Sequence, residues 1–135
     1  EFEAWWNATS FKNVRYEGVI PNHHLIPFLQ QFDIAVCTYA HAAVGIEAMH
    51  PAPTKAGDAI AAGCILLCSN QPYLLELVEK YKIGFVYSEA TRSEVCQQVS
   101  RLTGAELSQF KHNVKVAFRH CSMDQGAAEL IRCLN

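Results

Sequence analysis

Lys55 and Asp58 are the two side chains whose chemistry and spacing point most directly to a ligand. They stand three positions apart in the run Pro53-Thr54-Lys55-Ala56-Gly57-Asp58-Ala59-Ile60-Ala61-Ala62-Gly63, which reads as a helix start, a short helix and a glycine stop. Residues three apart on a helix are neighbours on its surface. The first N–H groups of a helix lack internal partners and the peptide dipole is positive there, so a helix opening at Thr54 suits an anion. Thr54 is expected to cap that start with its hydroxyl. Gly57 lets a ligand approach the backbone, and Lys55 adds a point charge for phosphate. Asp58, about one turn on, is within reach of vicinal hydroxyls on a sugar ring. Together the four residues would hold a nucleotide diphosphate and its ribose. They also read as an ordinary capped amphipathic helix with a surface Lys and a surface Asp.

The other reactive side chains form weaker patterns. Six Cys occur, at 37, 64, 68, 96, 121 and 133, with no C-x-x-C, so neither a zinc knuckle nor a thioredoxin-type pair is indicated. Cys37, Cys64 and Cys68 sit in apolar runs and read as small buried hydrophobes kept reduced, which points to a cytosolic, cytoplasmic location. Cys37 ends near the ligand-bearing edge and is a nucleophile only in principle. Among six His, His23 and His24 are adjacent and cannot both face one point on a helix, His41 and His50 share a loop and could converge, and His112 and His120 lie eight apart. None has Cys or carboxylate partners at ligand spacing, so no metal is expected. A G-x-S-x-G elbow for serine catalysis is missing from the sequence.

The elements that must position Lys55 and Asp58 follow from hydrophobic pattern. Residues 13–20 (NVRYEGVI) alternate and predict a strand. Residues 24–32 predict a helix with Pro27 in its first turn, where a missing N–H costs little. Residues 33–39 (DIAVCTY) are nearly continuously apolar, as in a strand of a parallel sheet buried on both faces. Residues 40–53 read as a loop. A helix from Thr54 ends at Gly63, and residues 64–69 form another buried strand. Residues 72–81 predict a helix and 84–87 a short strand. From Thr91 onward only helices are expected, marked by Val95, Val99 and Leu102, then Leu107, Phe110, Val114 and Ala117, then Ala127, Leu130, Ile131 and Leu134. Trp5 and Trp6 suit packing of an N-terminal helix. Strands alternating with helices predict an α/β domain with a parallel sheet and helices on both faces. Ligands in such sheets bind beyond the carboxyl ends of the strands, where the 40–53 loop and Thr54 would lie.

Residues 53–70 (PTKAGDAIAAGCILLCSN) resemble the donor-site motif P-x-K-x-x-E-x-x-A-x-G of retaining, group 1 (GT4-like) glycosyltransferases of the GT-B fold. Around it, NVRYEGVI and DIAVCTY resemble the family's V-x-F-x-G and D-V-x-V-x-P runs, YKIGFVYSEA its later G-x-L-V strand, and SMDQGAAELI its closing helix. The resemblance covers residues 13–134. It implies a Rossmann-like domain, the C-terminal donor-binding half of a GT-B enzyme ending in C-terminal helices, over 1–135, with the N-terminal acceptor domain absent. Asp58 matches the Glu that binds the ribose hydroxyls, and Lys55 the Lys near the phosphates, with Thr54 and the following amides facing the pyrophosphate. Gly18 and Val19 match the turn bordering the base and sugar pocket. The family's first Glu falls on His50, which could donate to a sugar hydroxyl, with Glu47 three positions earlier as a substitute; residues 46–51 would line the donor sugar. The implied function is transfer of a sugar from a nucleotide-sugar, such as a UDP- or GDP-sugar, to a hydroxyl acceptor with retention, without metal or other cofactor. The isolated chain is not expected to turn over. A non-catalytic nucleotide-binding or protein-interaction domain of the same fold stands as the alternative, favoured by Asp58 and His50 replacing Glu. A flavodoxin-like regulatory module is a third reading.

Composition limits the field further. The chain has 135 residues, enough for one domain with a real core. A net charge of −2 supplies no basic field for nucleic acid. No apolar run is long enough to cross a bilayer; the resemblance leaves room for peripheral membrane association of the full enzyme. The chain opens on Glu1 rather than Met, which suggests a mature form or a piece of a longer protein.

Overall fold

The computed structural model describes residues 12–38 and 54–121 of the chain. Three strands, β1 (Ile34–Cys37), β2 (Ile65–Ser69) and β3 (Gly84–Tyr87), form a parallel sheet in the order β1-β2-β3. Five helices of the described residues surround it: α1 (Asn22–Leu29), α2 (Thr54–Ala62), α3 (Pro72–Tyr81), α4 (Arg92–Ser100) and α5 (Gly104–Cys121). The protein is an α/β domain with a Rossmann-like arrangement. No helix among the described residues is long and apolar enough to cross a membrane.

Register fixes which side chains share a face. Ile34 pairs with Ile65 and Cys37 with Cys68 across β1 and β2, and Leu66 pairs with Gly84 across β2 and β3. Alternate residues of a strand point to one side. Cys37, Leu66 and Cys68 therefore join Ala56, Ala59 and Ile60 of α2, Leu74, Leu77 and Val78 of α3, and Val114 and Ala117 of α5 in the core. At Leu66 the neighbouring strand comes so close that only a glycine fits opposite: a Cβ built on Gly84 would lie 2.7 Å from the Leu66 carbonyl carbon and 2.8 Å from its nitrogen.

Helix ends are set locally. Gly63, with φ +83°, closes α2. Its N–H bonds the Ile60 carbonyl at 3.0 Å and the Cys64 N–H bonds the Ala59 carbonyl at 2.9 Å, the paired pattern of a Schellman stop. Pro72 starts α3 at a position needing no N–H, and Lys82 ends it in the left-handed conformation, φ 54°. Thr103 and Glu106 open α5 as a capping box. The Thr103 N–H and hydroxyl donate to the Glu106 carboxylate at 2.8 and 2.7 Å, and the Glu106 N–H returns to the Thr103 hydroxyl at 3.3 Å. These two donors hold the Glu106 carboxyl below its ordinary pKa.

α5 ties the amino edge of the sheet together. Lys111 pairs with Asp33, just before β1, at 2.5 Å, and the Asn113 amide donates to the Lys82 carbonyl, just before β3, at 3.0 Å. Phe110 reaches Phe85 of β3, with ring centroids 5.1 Å apart.

Several sequence expectations are corrected. Residues 14–20 form no strand. Asn13 and Gly18 take φ values of +63° and +71°, which break an extended backbone, and Val14, Tyr16 and Val19 are exposed. Without burial on one face the alternating pattern has nothing to fix it in a sheet. α1 begins at Asn22 and ends at Leu29, so Pro27 falls in its interior rather than its first turn. β1 stops at Cys37. Thr54 is the first residue of α2 rather than the residue before it. His23 and His24 lie ring to ring, with centroids 4.1 Å apart. The loop 40–53, the residues Trp5 and Trp6 and the last helix expected near Ala127–Leu134 fall outside the described residues.

Candidate functional site

The helix α2 carries the candidate site because of where the chain must go. It follows β1 and leads, through Gly63, directly into β2, which runs parallel to β1. A segment joining two parallel strands has to return from the carboxyl edge of the first to the amino edge of the second. Nine helical residues rise about 13 Å, close to the length of the strands alongside. The α2 start therefore faces the carboxyl edge formed by Cys37, Ser69 and Tyr87. An electrostatic contact agrees with that placement: the Lys55 ammonium acts on the thiol of Cys37, the last residue of β1.

Within α2 the apolar residues separate from the candidate residues. Ala56, Ala59 and Ile60 are buried against the sheet and α5. Thr54, Lys55 and Gly57 are exposed and Asp58 is half-buried. Core packing thus orients the helix and leaves its first turn, one cation and one carboxylate, accessible. No hydrogen bond or ion pair of Asp58 occurs among the described residues. Among the described residues, none stands within 4 Å of a Cβ built on Gly57.

The structure places Thr54, Lys55, Gly57 and Asp58 together on the first turns of α2. Gly18 and Val19 sit in the irregular segment before α1, and Val19, 91% exposed, is packed against nothing. Glu47 and His50 lie outside the described residues. Among the described residues no group of three His, Cys, Asp or Glu side chains could hold a metal ion.

Sequence reasoning missed polar groups on the same edge. Ser69 ends β2 and is buried. Beyond β3, Ser88 and Thr91 bond each other: the Ser88 N–H donates to the Thr91 hydroxyl at 2.9 Å and the Thr91 N–H to the Ser88 hydroxyl at 3.3 Å. A Ser at the end of an apolar strand was the available signal for both. Also missed was the pairing of Cys37 with Cys68, whose thiols lie near enough to shift each other's pKa.

Comparison with known protein families, with curated proteins and with solved structures gave no match.

Proposed function

We propose that this chain is the donor-binding half of a glycosyltransferase, holding the diphosphate and ribose of a nucleotide-sugar at the start of α2. One observation carries the reading: a helix whose first described turn stands at the carboxyl edge of a parallel sheet, with Lys55 exposed and Asp58 half-buried one turn apart on it. The free N–H groups and Lys55 would offset the diphosphate charge, and they would stabilise it further as it becomes the leaving group. Asp58 would accept the ribose hydroxyls. The resemblance of residues 53–70 to the retaining family supports sugar transfer over simple nucleotide storage. In the full enzyme a second, N-terminal domain would bring the hydroxyl acceptor, and the cytoplasm is the compartment that supplies nucleotide-sugars.

The test is a titration of UDP and of GDP into the 135-residue chain, followed by backbone amide shifts. Residues 54–58 should move in fast exchange. Asp58→Ala should weaken binding by about 1–3 kcal/mol, the cost of leaving polar partners unpaired. Shifts that avoid 54–58 at millimolar ligand, or equal affinity of the variant, refute the assignment. A non-catalytic nucleotide-binding domain is favoured instead if the diphosphate binds at 54–58 while a UDP- or GDP-sugar binds no differently, an outcome the shorter Asp58 makes specific.

A further inference from the structure

We propose that Cys37 and Cys68 form a peroxide-sensitive dithiol that closes a disulfide across β1 and β2. The two residues are direct register partners on adjacent parallel strands. Both join the same helix-covered core, so their side chains leave the sheet on one side. Neighbouring strands stand about 4.8 Å apart, inside the roughly 4.4–6.8 Å separation of Cα atoms that a disulfide spans. Paired side chains on parallel strands keep that same spacing at Cβ, so closing the bond, which needs Cβ atoms about 3.5–4.5 Å apart, draws the two strands together by a few tenths of an ångström.

Chemistry divides the labour between the two thiols. The neighbouring Cys68 thiol lowers the Cys37 pKa, and the Lys55 ammonium lowers it further against the cost of burial. The Cys37 sulfur and burial raise the pKa of Cys68. Cys37 is the attacking sulfur and Cys68 the resolving one. The Cys37 thiolate attacks one oxygen of hydrogen peroxide: an S–O bond forms, the O–O bond breaks and hydroxide leaves. The Cys68 sulfur then attacks the Cys37 sulfur: an S–S bond forms, the S–O bond breaks, and the departing hydroxide takes the Cys68 proton as water. Two thiols lose two electrons and two protons, and one peroxide becomes two waters once the first hydroxide is protonated.

Burial selects the reagent. Cys37 is 2% exposed and Cys68 0%. A bulky disulfide such as oxidised glutathione cannot reach them, whereas peroxide is little larger than water. Buried thiols are ordinarily inert; this pair differs by the adjacent cation and the second sulfur in register. Cys64 does not compete. Its thiol donates to the Leu29 and Phe32 carbonyls at 3.3 and 3.5 Å, and it lies four residues, about 13 Å, along the chain from Cys68.

The experiment uses the full chain carrying Cys96→Ser, Cys121→Ser and Cys133→Ser, with its fold checked by circular dichroism. After treatment with hydrogen peroxide the protein is denatured, alkylated and mapped by mass spectrometry without reductant. The expected result is the loss of two hydrogens, one alkylated thiol at Cys64, and a peptide joining residues 37 and 68. Oxidised glutathione should leave all three thiols alkylated. The same 37–68 peptide should appear from the unsubstituted chain, which keeps the test valid if the substituted one folds poorly. Three alkylated thiols after peroxide, a linkage through Cys64, or sulfinic acid at Cys37 without a linkage would overturn the proposal. Nucleotide binding plays no part in the readout, so the result is independent of the proposed function.

Discussion

Gly84→Ala isolates what holds β2 against β3. The new methyl carbon would stand 2.7 and 2.8 Å from the Leu66 carbonyl carbon and nitrogen, and nearer still to the carbonyl oxygen. Carbon atoms pack at about 3.5–4.0 Å, so the strands must part by about 1 Å or more. Leu66 N–H donates to the Ile83 carbonyl at 2.9 Å, beside the new methyl. Opening by that amount takes the bond beyond hydrogen-bond range. A buried polar pair left unmade costs about 1–3 kcal/mol, and forced overpacking about as much again. Against this, replacing Gly reduces unfolded-state entropy by about 0.4–1 kcal/mol. The net expectation is a loss of roughly 2–4 kcal/mol. Urea unfolding followed by circular dichroism measures it, as a lower midpoint with an unchanged slope. A loss under about 1 kcal/mol would mean that the two strands are not held in this register, and the placement of the whole carboxyl edge would fall with it.

Gly57→Ala should do the opposite to the fold. The position is helical and meets no atom of the described residues, so α2 should gain up to about 1 kcal/mol in unfolding measurements while nucleoside diphosphate binding weakens. Lys82→Gly should stabilise the chain by about 0.5–1 kcal/mol, since Lys82 occupies a left-handed position at the end of α3 that glycine takes without strain; the same unfolding assay reports it. Glu106 has its pKa lowered by the two Thr103 donors. Its folded value lies below its unfolded one, so its contribution is complete above the ordinary glutamate range and disappears as pH falls through the folded value. Thermal unfolding of the unsubstituted chain and Glu106→Gln should therefore differ most near neutrality and converge in acid.

Local signals in the sequence carried much of this fold. The end of α2 at Gly63, the extent of α3 over Pro72–Tyr81 and that of β3 over Gly84–Tyr87 follow from residues within a few positions of each boundary. The spacing of Lys55 and Asp58 was legible for the same reason, because helical period is a property of the chain's nearest neighbours. Residues 13–20 show the limit of that reasoning. Their alternation is that of a strand, but a strand exists only where a neighbour supplies its hydrogen bonds, and no pattern within eight residues encodes that neighbour. The meeting of Cys37 with Cys68 was invisible for a related reason. Each Cys looked like core filler, and only the register of two segments thirty-one residues apart makes them partners. Lys111 and Asp33, separated by most of the described chain, are a third case.

That last pair has a consequence for how the protein is made. The strut formed by Lys111 and Asn113 reaches back to residues 33 and 82, both of which leave the ribosome earlier. At about 5–20 residues per second, Asp33 waits about 4–16 s for Lys111 to be synthesised. During that interval the Ile65 N–H can already hold the Asp33 carbonyl, but the Asp33 carboxylate lacks its Lys111 partner. Any chain ended before α5 would keep its sheet residues and lose both fastenings at once, so shortening at this end acts on the distant beginning of the fold.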